Sequence, residues 1–207
     1  MHDLLGLFAT TEVFVFVFME VSFNVRLVKR VLVRQAYWYD YLFVILLFGG
    51  FSIFGTYTGI PLPGGVISSI RDLGPMVAGL IGGPIAGIGA GLIGGIHRLL
   101  QGGFTAVPCS IATVFAGLIA GLIYQFRHGK ILGIWYAVLL AIGIELFHGL
   151  VTLAIARPLS EAWDAVRLAI PAMMVADGLG AAIAIIALDR VPELKKEDEP
   201  GSAQRPE

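Results

Sequence analysis

Long apolar runs alternate with short polar connections along this chain, and run length sets the first expectation. A helix that crosses a bilayer needs about 20 mostly apolar residues. Six stretches meet that length: 4–25, 39–57, 74–100, 105–126, 131–155 and 169–188. Between the second and third, Pro61, Pro63, Gly64 and Gly65 mark 58–72 as a loop. The last residues, 191–207, are charged and rich in Pro and Gly, and they read as disordered. The pattern predicts an all-α, polytopic membrane bundle over 1–190 and a cytoplasmic tail.

Positive charge orients the bundle. Arg26, Lys29, Arg30 and Arg34 follow the first stretch, and Arg127, His128 and Lys130 follow the fourth. Both loops are expected on the cytoplasmic side. An odd number of crossings must then separate them, yet two apolar stretches lie between. Two conformations answer this. In one, 74–100 breaks at Gly82-Gly83-Pro84 and folds back, as buried non-helical backbone permits. In the other, it is one continuous helix and a loop departs from the charge bias. Folding back leaves five full crossings, an external N-terminus and a cytoplasmic tail. The charges after the first stretch, with no basic residue before it, also argue for a retained helix rather than a cleaved signal peptide.

Composition agrees with a bilayer environment. Of 207 residues, 57% are hydrophobic and 14% charged, against about a quarter charged in soluble domains. Mean hydropathy is +0.85. The net charge of −1 and the lack of basic runs give no footing for nucleic-acid binding. The single cysteine excludes an internal disulfide. No metal-ligand spacing, cofactor motif or nucleophile–base pair of definable geometry is visible. A dinucleotide-binding reading of the glycines fails because no strand precedes them.

The segment GLIGGPIAGIGAGLIGGIHRLLQGGFTAVPC, residues 79–109, places glycine at 79, 83, 87, 91 and 95. That spacing makes a flat helix face for close backbone packing. Gly102 and Gly103, next to Arg98, are the glycines placed to approach a ligand. Ionisable groups at membrane depth are functional candidates. Arg71 and Arg98 flank the glycine segment and offer two guanidinium forks suited to a carboxylate or phosphate. They converge only if the segment folds back. Cys109 follows Pro108 at a helix start, with Ser110 and Thr113 close behind. Glu145 and His148 share a helix face, either as a proton relay or satisfying each other. Asp177, Glu12 and Glu20 complete the set of membrane-depth acids.

These residues carry a resemblance. The run SIRDLGPMVAGLIGGPIAGIGAGLIGGIHRLLQGGFTAVPCSIATVFAGLIAGLI is similar to the membrane domain of LytS–YhcK type receptors, the sensor portion of LytS- and YpdA-like histidine kinases. The family's Asn-x-Arg element is here Ser69-Ile70-Arg71, so the Asn is replaced. The stretch IPAMMVADGLGAAI, 170–183, resembles the family's last helix, and the likeness covers about residues 5–188. It implies a receptor reporting on the cell envelope or on small metabolites. Some members sense pyruvate, with arginines and a cysteine in the pocket; Arg71, Arg98 and Cys109 match those positions. A pocket serine of the family falls on Ala112, which leaves another small carboxylate open. The family's kinase module has no counterpart in these 207 residues.

The expected function is therefore that of a plasma-membrane receptor for a small anion, signalling through a partner protein or homo-oligomer and solvated by lipid. Its expected ligand contacts are Arg71, Arg98, Cys109, Gly102, Gly103 and Ser69, with Glu145, His148 and Asp177 as a polar relay. The alternative is a substrate-binding component of an energy-coupling-factor type vitamin importer, a class of similar size and helix number.

Overall fold

The computed structural model describes residues 2–62, 66–192 and 194. Seven helices appear among them: α1 (His2–Asn24), α2 (Arg26–Leu32), α3 (Trp38–Tyr57), α4 (Leu73–Gln101), α5 (Ala106–Phe126), α6 (Ile134–Ile155) and α7 (Leu159–Asp189). Five of these, α3 to α7, are long and apolar enough to cross a membrane by length and composition. The expected stretches reappear with ends shifted by a few residues, except the last. α7 begins ten residues before the expected 169, because its first turns (LSEAWDAVR) are too polar to join an apolar run. The expected loop 58–72 holds a short antiparallel hairpin of β1 (Ile60–Leu62) and β2 (Val66–Ser68), with Ile60 opposite Ser68. Of the expected tail, only residues 191, 192 and 194 lie within the described residues.

The start of α3 shows how charge fixes one end of the bundle. Asp40, fully buried, accepts a hydrogen bond from the Tyr37 backbone N–H at 2.8 Å and so caps the helix. Arg30 of α2 pairs with the same carboxylate and lies over the Tyr37 and Tyr39 rings, 5.7 and 5.3 Å from their centroids. The Asp40 bond holds the Arg30 guanidinium above its ordinary pKa. Arg34 at the end of this element lies directly against Gly129, in the loop after α5. The two basic loops therefore meet at one end of the bundle, as the charge pattern requires.

The parity problem is solved inside α4. Gly83 has φ 76° and ψ −170°, a conformation essentially reserved for glycine, and Pro84 follows it. The helix breaks there and its two arms lie side by side. Gly79 and Gly87 are eight residues apart, yet a Cβ on Gly87 would stand 2.9 Å from the Gly79 Cα. A straight helix would separate them by roughly 12 Å. Further out, Gly74 and Gly94 both abut Ser52 of α3. α4 is thus a helical hairpin with its bend at Gly83. The bend faces Tyr124 near the end of α5, and Gly82 beside it faces Val31 and Tyr41. Both open ends of the hairpin point away from the basic loops.

The small residues make this possible. Gly79 and Gly87 lie against the Gly117 backbone, Gly91 against Thr113 and Val114, and Gly121 against Pro84. Two hairpin arms and α5 thereby meet backbone to backbone, the close approach that small-residue spacing allows in lipid. Around this hub, Met19, Phe23, Val44, Phe48, Leu73, Met76 and Ile185 are fully or almost fully buried. Phe18 stacks on Phe51 at 4.5 Å and meets Phe48 edge-on at 5.8 Å, locking α1 to α3.

Candidate functional site

The hairpin delivers Arg71 and Arg98 to one place. Both are almost wholly buried, 0% and 1% exposed, and each bonds a threonine that is itself hydrogen-bonded to the Cys109 backbone, Thr113 for Arg71 and Thr105 for Arg98. A continuous helix would have held them roughly 40 Å apart. Convergence therefore depends on the break at Gly83.

Arg71 is held by neighbours on both sides. Its Nε donates to Thr113 Oγ1 at 2.8 Å and its Nη1 to Ser69 Oγ at 3.2 Å. Asp72 Oδ1 lies 3.6 Å from Nε and accepts a 2.6 Å hydrogen bond from Thr113. Arg71 Nη2 finds no partner among the described residues. Arg98 donates from Nη1 to the Gly102 carbonyl at 2.6 Å and from Nη2 to Thr105 Oγ1 at 3.1 Å. Among the described residues no carboxylate pairs with Arg98, and its Nε is also unpartnered. A buried guanidinium held only by neutral oxygens is a costly arrangement that an anion relieves.

Cys109 continues the network toward α6. Its Sγ lies 3.2 Å from His148 Nε2, and His148 Nδ1 lies 3.0 Å from Asp72 Oδ2 and 3.4 Å from Glu145 Oε2. The expectation that no nucleophile–base pair exists is corrected here. A thiol, an imidazole and a carboxylate stand in sequence at hydrogen-bond spacing, the geometry that orients a base on a nucleophile. The ligand atoms of Asp72, Glu145 and His148 fall within 4.8 Å of one another. His148 and Asp72 face each other as a buried ion pair at 3.0 Å, and neither Nδ1 nor Oδ2 makes an aligned hydrogen bond among the described residues.

A small cavity opens on this network. Thr105, Cys109, His148, Thr152, Ala165, Ala169 and Met173 are among its walls. Ser69 faces a second cavity, beside Glu12 and Ser68. Gly102 and Gly103 sit exposed in the turn after α4 at φ 70° and 94°. A Cβ on either would meet nothing within 4 Å. The turn geometry, rather than a close approach, accounts for glycine there, and Gly102 serves Arg98 through its carbonyl. Asp177 is buried but is not among the walls of the Cys109 cavity.

Sequence reasoning missed Asp72, Thr105 and Thr152. Asp72 was legible in principle: an acid next to a membrane-depth arginine is its natural counter-charge. The two threonines carry no signal distinguishable from helix hydroxyls bonded to their own backbone.

Comparison with known proteins agrees with this architecture. The family model described as 5TMR of 5TMR-LYT matches residues 25–191. The sensor protein LytS of Bacillus subtilis is 31% identical over 193 residues, which cover 85% of this chain and 32% of that protein. The sensor histidine kinase BtsS of Escherichia coli K12 is 35% identical over 151 residues, 70% of this chain and 27% of its own length. E. coli YpdA, also a sensor histidine kinase, is 36% identical over 103 residues, covering 48% and 18%. The chain thus spans about a third or less of these relatives. No solved structure matches. A helical membrane bundle matched over this length leaves one assignment: the chain belongs to the 5TMR-LYT family and is a multi-pass inner-membrane sensor domain of the LytS type.

Proposed function

We propose that the chain is a receptor for a small carboxylate of the pyruvate class, held between Arg98, Arg71 and Cys109. The observation that carries this reading is Arg98: a buried guanidinium with no acidic partner among the described residues, beside a cavity lined by Thr105, Cys109 and His148. The free Nη2 of Arg71 offers a second donor. Bidentate recognition of a carboxylate by arginine supplies orientation as well as charge. The family match favours signalling over an importer subunit. The signal passes to a partner at the basic end, through the α4 hairpin and its backbone contacts with α5. Ala112, where the family places a serine, removes one hydroxyl from the pocket and loosens selectivity among small carboxylates.

Calorimetry on the purified chain in lipid nanodiscs, with pyruvate, lactate and acetate as probes, tests the reading. Saturable binding of at least one probe is expected, weakened about tenfold or more in Arg98→Ala, the loss of a charge-assisted pair. Equal binding by wild type and Arg98→Ala across the panel refutes it.

A further inference from the structure

The cysteine in this site is not placed as a passive wall residue. A buried free cysteine is usually a small apolar filler. Cys109 instead has its Sγ 3.2 Å from an imidazole nitrogen, and that imidazole is oriented from behind by Asp72 at 3.0 Å. Glu145 stands 3.4 Å from the same Nδ1. Arg71 reaches the backbone of Cys109 through Thr113, which donates to the Cys109 carbonyl at 2.9 Å, and Arg98 through Thr105, whose carbonyl accepts from the Cys109 N–H at 3.0 Å. A base, an orienting carboxylate and two nearby cations are what raise the thiolate fraction of a cysteine. Cys109 and His148 also share one cavity wall with Thr105, the residue to which Arg98 is tied. Plain contact with a carboxylate requires none of the His148–Asp72 arrangement.

We propose that Cys109 captures a 2-oxo acid covalently and reversibly, as a thiohemiketal. This rests on the carboxylate reading above and deepens it. With the carboxylate on Arg98, the neighbouring ketone carbon of the ligand faces the sulfur. The thiolate electron pair forms an S–C bond to that carbon. The C=O π pair moves onto the ketone oxygen, which takes the proton from His148 Nε2. His148 is left neutral, with its remaining proton on Nδ1, 3.0 Å from Asp72 Oδ2. Sulfur is neither oxidised nor reduced, and the reverse steps release the ligand unchanged. Carboxylates without an adjacent carbonyl bind the arginines but cannot take this step. The covalent bond also makes the hydroxyl missing at Ala112 dispensable.

The test is carbon NMR on the full chain in nanodiscs, using pyruvate isotope-labelled at its ketone carbon. Bound ligand is expected to show a tetrahedral-carbon resonance, distinct from free pyruvate hydrate in a protein-free sample and absent in Cys109→Ser. Because the chain has one cysteine, labelling its β-carbon gives a second readout that needs no mutation. That signal is expected to shift with pyruvate and to stay with the thiol form in lactate. In His148→Gln the tetrahedral resonance is expected to fall or vanish while acetate binding persists. Saturable, Arg98-dependent binding in which pyruvate keeps its ketone resonance overturns the covalent step and leaves the carboxylate site standing. No binding of pyruvate, lactate or acetate overturns both.

Discussion

Replacing Gly83 by alanine separates the hairpin from a straight helix by the sign of the effect. In a continuous helix, alanine is better than glycine by about 0.5–1 kcal/mol, because glycine loses more backbone freedom on folding. In the hairpin, residue 83 sits at φ 76° and ψ −170°. A non-glycine residue held in such a region costs about 1–3 kcal/mol. Steric overlap adds little to this, since the new Cβ would meet only the Tyr124 ring, at 3.4 and 3.6 Å. The net expectation is a loss of about 1–3 kcal/mol, a shift of roughly 5- to 150-fold in the folding equilibrium. Gly143→Ala, within α6, is the control, because a Cβ there meets nothing within 4 Å and should gain about 0.5–1 kcal/mol. Reversible denaturant unfolding in mixed micelles, followed by helical circular dichroism, measures both. A Gly83→Ala chain as stable as wild type, or more stable, refutes the break at Gly83 and the convergence of Arg71 and Arg98 with it.

Other consequences are equally direct. Gly117→Ala would drive its new methyl into the Gly87 backbone, which cannot yield as a side chain can. A loss of about 1–3 kcal/mol is expected from this overpacking, and unchanged unfolding would contradict the backbone contact between α4 and α5. Cysteines placed singly at Tyr57 and Gly102, exposed positions next to Arg71 and Arg98 at the open end of the hairpin, in a Cys109→Ser background, should react with membrane-impermeant maleimide from the same side of oriented vesicles. Reaction from opposite sides would mean that the arginines do not share a site.

How much of this was legible beforehand depended on which physical signal each part carried. The six long helices and their positions followed from hydrophobic run length, which bilayer thickness constrains tightly; the seven-residue α2, too short and too basic for such a run, did not. The hairpin was posed by charge parity, because Arg34 and Lys130 lie on loops that must share a side. Composition could not choose between breaking and spanning: Gly82-Gly83-Pro84 permits either, and the φ of Gly83 decides it. The polar opening of α7 was missed because Glu161, Asp164 and Arg167 interrupt the apolar run, although they sit on a helix already formed. At the site, Arg71, Arg98 and Cys109 stood out as rare residue types at membrane depth. The link from Cys109 through His148 to Asp72 did not. It joins residues 39 and 76 positions apart on different elements, and no local pattern records such pairings.

The α4 hairpin also has a mechanical consequence. It works like a pair of tongs gripped at the open end, with Arg71 and Arg98 as the two handles. A ligand that draws the handles together must move the pivot at Gly83 or slide one leg along the other. Sliding meets the Gly79 and Gly87 backbones wedged on Gly117, where no side chain can rotate away. The softer route is rotation about the pivot, where Tyr124, Val31 and Tyr41 stand around Gly82 and Gly83. On the receptor reading proposed above, a change in the spacing of the two guanidiniums would therefore be felt at the bend beside the basic end, where Gly82 and Gly83 meet Tyr124, Val31 and Tyr41.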